Sequence, residues 1–158
     1  MRLRRIGLGS LVALALLTAC STTAPRNSTS LSGRWALTVQ SEPPSQYSAQ
    51  FEWQGDAQRG ELWLTSPLGS TLAHLSWAPG QARLTQSGRV QSAESPEQLL
   101  EALAGVRLPM PTLLDWLQGR PSPLPGWQVD LSGQAGGRLV FTRLSPPPVA
   151  QLRLVLDR

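Results

Sequence analysis

The chain has 158 residues, a formal charge of +4 and a single cysteine, which suffices for one domain with a sizeable core and excludes a disulfide within the chain. Every basic residue is an arginine, so chemistry that depends on a catalytic lysine is excluded. Arg2, Arg4 and Arg5 all precede the lone Cys20, and the remainder of the chain is close to neutral, so nucleic-acid binding has no support.

In chain order, the three early arginines form a positive start to an apolar run from Ile6 to Leu17. That run is too short to span a bilayer comfortably and reads as a secretory signal over residues 1–19. It closes in Leu17-Thr18-Ala19-Cys20, which resembles the lipobox of bacterial lipoproteins. The resemblance implies cleavage before Cys20, diacylglycerol on its thiol and an acyl chain on its new amine, with no other cofactor. One acyl chain binds a membrane only marginally, whereas two or more hold stably, at about 0.8 kcal/mol per buried methylene. Ser21 in place of Asp resembles lipoproteins sorted to the outer membrane. Residues 20–31, rich in Ser and Thr, then read as a flexible tether.

From residue 32 to 158 the pattern predicts one mainly β domain. Trp35, Leu37 and Val39 alternate with polar or small residues, and Glu42-Pro43-Pro44 breaks the run. Tyr47, Ala49, Phe51 and Trp53 share a face in the clearest period-two segment of the chain. Leu62 and Leu64 pair on one side of a third strand, and Ser66-Pro67-Leu68-Gly69-Ser70 interrupts it. Ala73, Leu75 and Trp77 form the inner face of a fourth, and Ala82 and Leu84 that of a fifth, with a short strand over Arg89 to Gln91. Such a series argues for an antiparallel sheet curled around one apolar face.

Two short helices follow. Ser95-Pro96-Glu97-Gln98 reads as a cap, a first-turn proline and a capping-box glutamine, with Leu99, Leu100 and Leu103 at helical spacing up to Gly105. A second helix is predicted over Thr112 to Gln118, with Leu113, Trp116 and Leu117 on one face. Alternation resumes at Trp127, at Leu139 and finally at Leu152. The apolar helix faces must be buried, and the concave side of the sheet is the place for them. A packed core and an apolar ligand cavity would give the same alternation.

No catalytic or metal constellation emerges. His74 is predicted on the outer face of its strand with no second ligand or nucleophile motif nearby. Glu94, Glu97 and Glu101 suit the start of a helix. Trp63 falls opposite Leu62 and Leu64, as an exposed aromatic or a cover for a sheet edge. Leu68 stands between Pro67 and Gly69 in a turn, where polar residues are the norm. It either folds back onto the sheet or points outward as an apolar finger able to touch lipid.

Taken together the segments resemble the LolB family of outer-membrane lipoproteins. The residues that carry the resemblance are Ser32-Gly33-Arg34, Tyr47-x-Ala49-x-Phe51-x-Trp53-Gln54 and Leu62-x-Leu64-Thr65-Ser66-Pro67-Leu68-Gly69-Ser70-Thr71. Pro79-Gly80, Leu99-Leu100-x-x-Leu103-x-Gly105, Leu108-Pro109 and Leu113-x-x-Trp116-Leu117-x-Gly119-x-Pro121 follow in order, and then Gly126-Trp127-x-Val129 and Leu152-x-Leu154-Val155-Leu156-Asp157. The resemblance implies an open antiparallel half-barrel with two helices as a lid over an apolar cavity. It also implies a non-enzymatic receptor, anchored at the periplasmic face of the outer membrane. Such a receptor accepts cargo lipoproteins from a LolA-like periplasmic carrier and inserts them into the inner leaflet of that membrane, acting as a monomer. Cys20 is then the lipidated residue and Leu68 the residue that engages lipid during cargo transfer. Tyr47, Phe51, Trp53, Leu62, Leu64, Leu75, Leu99, Leu103 and Trp116 are expected to line the cavity. The rival reading keeps the fold as a lipid-binding or structural envelope lipoprotein without a carrier. The family also carries a longer segment with an extra strand where this chain has only Ser122 to Pro125, which implies fewer strands here.

Overall fold

The structure, a computed structural model, describes residues 28–104 and 107–157, without the side chains of residues 103 and 104. The predicted signal, Cys20 and the tether as far as residue 27 lie outside the described residues.

Nine strands form one antiparallel sheet. In chain order they are β1 (Thr29–Val39), β2 (Ser45–Gly55), β3 (Gly60–Thr65), β4 (Thr71–Ala78), β5 (Gln81–Gln86) and β6 (Arg89–Ala93), followed after the helices by β7 (Trp127–Asp130), β8 (Arg138–Arg143) and β9 (Ala150–Leu156). The sheet runs β6-β5-β4-β3-β2-β1-β9-β8-β7, so β6 and β7 are free edges and the half-barrel stays open. Because β9 returns to pair with β1 along Gly33–Val39, the two halves of the chain share one sheet. Thr29, Ser30 and Leu31 already pair with Gly55, Gln54 and Trp53, so the sheet begins before residue 32.

Two helices, α1 (Pro96–Ala104) and α2 (Met110–Leu117), connect β6 to β7 and cover the apolar face. The glutamine of the predicted capping box reaches one residue further back than expected, with its Oε1 accepting from the Glu94 amide at 3.2 Å. α2 starts two residues earlier than the sequence predicts, on the Pro109–Met110 step. Ser122 to Pro125 leads straight into β7 with no strand between. The core joins the inner faces of β2, β4, β5, β8 and β9 to both helices: Trp53, Trp116, Phe141, Leu84, Met110 and Leu139 are fully buried. Among the described residues no helix is long and apolar enough to cross a membrane.

Candidate functional site

The alternation of β1, β2, β3 and β9 places large apolar side chains on one face of four neighbouring strands. Trp35, Leu37 and Val39 of β1 meet Phe51 and Trp53 of β2, Leu62 and Leu64 of β3, and Ala150, Leu152 and Leu154 of β9 around a cavity of about 200 Å³. Trp127 of β7 closes one side, and Leu100, Leu108, Leu113 and Leu117 of the helical segment form the roof. Apart from backbone groups and the indole nitrogens, this lining offers nothing to hydrogen-bond, so it suits hydrocarbon and little else. A smaller void of about 20 Å³ lies beneath α1, lined by Leu62, Leu64, Ala73, Leu75, Leu84, Leu99 and Leu100. Leu62, Leu64 and Leu100 belong to both linings, so they separate one space from the other.

The helices are fixed at several points. Proline cannot cap a helix with its side chain, and α2 has Pro109 as its cap residue with no side-chain cap bond. The acceptor comes instead from α1, where Glu97 Oε1 receives the Met110 amide at 3.0 Å. A carboxylate there is also favoured by the positive end of the helix dipole. At the other end Gln118 Nε2 donates to Thr29 Oγ1 at 2.8 Å, tying α2 to the first residue of β1. Trp116 Nε1 donates to the Ser122 carbonyl at 2.8 Å, and its ring packs on Trp127 and Phe141 at 5.5 and 4.9 Å.

Leu68 is 95% exposed. It sits on a turn that holds its own shape: the Ser66 amide donates to the Ser70 carbonyl and the Gly69 amide to the Ser66 carbonyl, each at 2.8 Å, while Ser66 Oγ accepts from the Ser70 amide at 3.1 Å. Pro67 fixes one backbone angle, and Gly69 takes a left-handed φ of 85° that a side chain would resist. The leucine is thus presented to solvent by a preformed scaffold, with no apolar neighbour to cover it.

The structure places the remaining sequence candidates unevenly. Phe51, Trp53, Leu62 and Leu64 line the main cavity. Leu75 and Leu99 line the smaller void under α1. Trp116 is buried in the aromatic cluster behind the roof, outside both linings. Tyr47 keeps the inner face but is 56% exposed and does not reach the lining, a correction to its expected place there. Leu103 falls in the last turn of α1, and its side chain lies outside the described residues. The reading of the residues missed the contributions of β1 and β9 and the pair Leu113 and Leu117. The signals were present: matching alternation in both strands, and an i, i+4 leucine spacing in the helix.

Trp63 is half-buried rather than free, stacked on His74 with ring centres 3.6 Å apart, and it belongs to an interior strand, not to an edge. Its indole N–H donates to Glu61 Oε2 at 3.3 Å, and the same oxygen lies 3.5 Å from His74 Nε2. Among the described residues no group of three or more His, Cys, Asp or Glu is placed to hold a metal ion.

The chain that forms this apolar cavity and presents Leu68 outward is similar in sequence to known proteins. Residues 27–143 match the family model described as outer membrane lipoprotein LolB. The chain is 35% identical to the outer-membrane lipoprotein LolB of Bordetella petrii and 38% identical to that of Bordetella pertussis, with 80% of this chain and 76% of each relative covered. It is 32% identical to the protein of the same name from Yersinia enterocolitica, over 80% of this chain and 72% of the relative. Each Bordetella alignment spans 151 positions, more than 80% of a 158-residue chain supplies, so these relatives carry residues that this chain lacks. The chain belongs to the LolB family of outer-membrane lipoproteins.

Proposed function

We propose that this chain is an outer-membrane receptor for lipoproteins, taking cargo from a soluble periplasmic carrier and passing its acyl chains into the membrane without covalent chemistry. The observation that carries this reading is the pairing of an all-apolar cavity with the exposed Leu68. The cavity supplies a place for hydrocarbon outside water, and burial of each methylene is worth about 0.8 kcal/mol. Transfer then needs no energy source if each successive site holds the chains slightly better than the last. Leu68 offers lipid an apolar contact at the moment of release. Lipid on Cys20 would keep the receptor at the periplasmic face of the outer membrane, as an anchor rather than as the transferring element.

The core and the bonds that fix the helices are built from residues after 28, so a domain starting after Cys20 retains them. Mixed with carrier loaded with a labelled lipoprotein, that domain is expected to take over the label. Failure to do so returns the molecule to a lipid-binding lipoprotein without a carrier. Leu68→Glu is expected to accept cargo as the parent does and to release it into vesicles at least tenfold more slowly, because a carboxylate at the tip resists entry into hydrocarbon. Normal delivery by Leu68→Glu would remove the finger from the mechanism.

A further inference from the structure

Among the described residues six large hydrophobic side chains are exposed: Tyr47, Leu68, Leu72, Val90, Leu144 and Val155. The antiparallel order brings the β1–β2, β3–β4, β5–β6 and β8–β9 connections to one end of the sheet. Leu68 and Leu144 lie on these connections, while Tyr47, Leu72 and Val90 begin the strands that leave them. Only Val155 stands near the far end of its strand.

Two independent features say what this end meets. The first is its backbone chemistry. Residues 40–44, 66–70, 87–88 and 144–149 contain Pro43, Pro44, Pro67, Pro146, Pro147 and Pro148, and a single charged residue, Glu42. Proline has no N–H to leave unsatisfied when water is displaced, and the scarcity of charge removes the largest penalty for approaching hydrocarbon. The opposite end carries Asp56, Arg59 and Glu94 on its connections.

The second feature is continuity with the cavity. Tyr47 pairs with Leu37, which lines the cavity and pairs on its other side with the lining residue Leu152. β3 stops at Thr65, opposite Gln50, so no strand flanks Tyr47 on that side. Its ring therefore extends the apolar wall outward, past the last paired residue of β3 and toward the end that bears Leu68. Tyrosine, with an apolar ring and a polar tip, suits the headgroup boundary of a bilayer.

We infer that this end of the half-barrel is a bilayer-docking rim, in which Tyr47 and Leu144 join Leu68 in contacting the lipid surface and set the open end of the cavity against it. The inference deepens the receptor reading and rests on it. The rim is read out without cargo, as binding of the domain lacking Cys20 to vesicles of phosphatidylethanolamine and phosphatidylglycerol. Tyr47→Ser and Leu144→Ser are each expected to weaken that binding about tenfold, from the lost burial of one large side chain. Val155→Ser is expected to leave it unchanged, and all three variants should still take cargo from loaded carrier. Vesicle binding by Tyr47→Ser and Leu144→Ser equal to that of the parent overturns the rim, as does equal weakening by Val155→Ser. Failure of the parent to take cargo would instead overturn the receptor reading, and the vesicle result would stand apart from it. Should a serine variant not fold, Tyr47→Cys, Leu144→Cys and Val155→Cys each provide the only thiol in the domain for an environment-sensitive dye. A blue shift on vesicles at 47 and 144 but not at 155 is expected, and the same response at all three positions overturns the rim.

Discussion

Gly33 shows how much of this molecule turns on a missing methyl group. It is buried in β1 opposite Leu156 of β9, and a Cβ built on it would stand 2.2 Å from the Val155 carbonyl oxygen. Any side chain there must push β1 and β9 apart, at the seam where the end of the chain joins the sheet. Gly33→Ala is expected to cost about 1–3 kcal/mol, seen as a lower urea midpoint at unchanged slope. A shift within error would mean that the seam yields more easily than the close approach suggests. The Ser-Gly-Arg motif thus has a packing reason: Ser32 donates to Asp157 Oδ2 at 3.0 Å, while Gly33 lets the strand carrying that aspartate come close. Trp63 and His74 teach a different lesson at the same scale. Period-two alternation assigned both to the outer face, but their stacking depends on the β3–β4 register, in which Trp63 stands opposite His74. A face is a local property of the sequence, whereas a partner across strands is not.

Among the elements, α2 depends most on its neighbours. It has eight residues, too few to be stable alone, and its cap position is a proline. Its start is held by Glu97 from α1 and its end by the Gln118–Thr29 bond. Glu97→Ala is expected to lower stability by about 1 kcal/mol, the usual loss for a helix cap. Amide exchange should locate the effect, with protection falling at Met110 and the next turn before it falls in β1 or β9. Uniform loss across the sheet would show that the bond supports the whole fold rather than the roof. Most strands and both helices are legible because they present a regular apolar face: Phe51 and Trp53 on β2, Leu62 and Leu64 on β3, Leu113 and Leu117 on α2. Tyr47 and Phe51 stand on the same face of β2, yet only Phe51 reaches the cavity lining. Both obey one alternation, but the Ser66–Ser70 turn ends β3 opposite Gln50 and leaves Tyr47 uncovered. Trp116 lies outside both linings, since helical spacing defines only the apolar side of α2 as a whole. Leu113 and Leu117 take the part of that side that faces the cavity, and the tryptophan turns toward Trp127 and Phe141.

For the whole molecule the decisive quantity is the size of the cavity against its proposed contents. About 200 Å³ is less than the roughly 300–1,000 Å³ of sites that enclose a drug-sized ligand, and a cargo with several acyl chains is larger still. The strands are bound to one another along their length, whereas the roof rests on leucine contacts and a few side-chain hydrogen bonds. If cargo enters this cavity as proposed, enlargement is expected to proceed by moving the helices. Leu100 is the natural partition, since it lines both the cavity and the void under α1, and lifting it merges the two spaces. Fixing Leu100 to the sheet should then abolish uptake without harming the fold. Leu62 lines the same two spaces from β3, and a domain lacking Cys20 has no other thiol, so Leu62→Cys with Leu100→Cys can be joined selectively by a short, cleavable thiol cross-linker. The joined form is expected to keep its near-ultraviolet circular dichroism and to melt at a higher temperature, because the closed loop restricts the unfolded chain. It should fail to accept a labelled lipoprotein from the carrier, and cleavage of the linker should restore acceptance. Uptake at the parent rate by the joined form would show that the cargo enters beneath a stationary roof, and lid movement would then have no part in transfer.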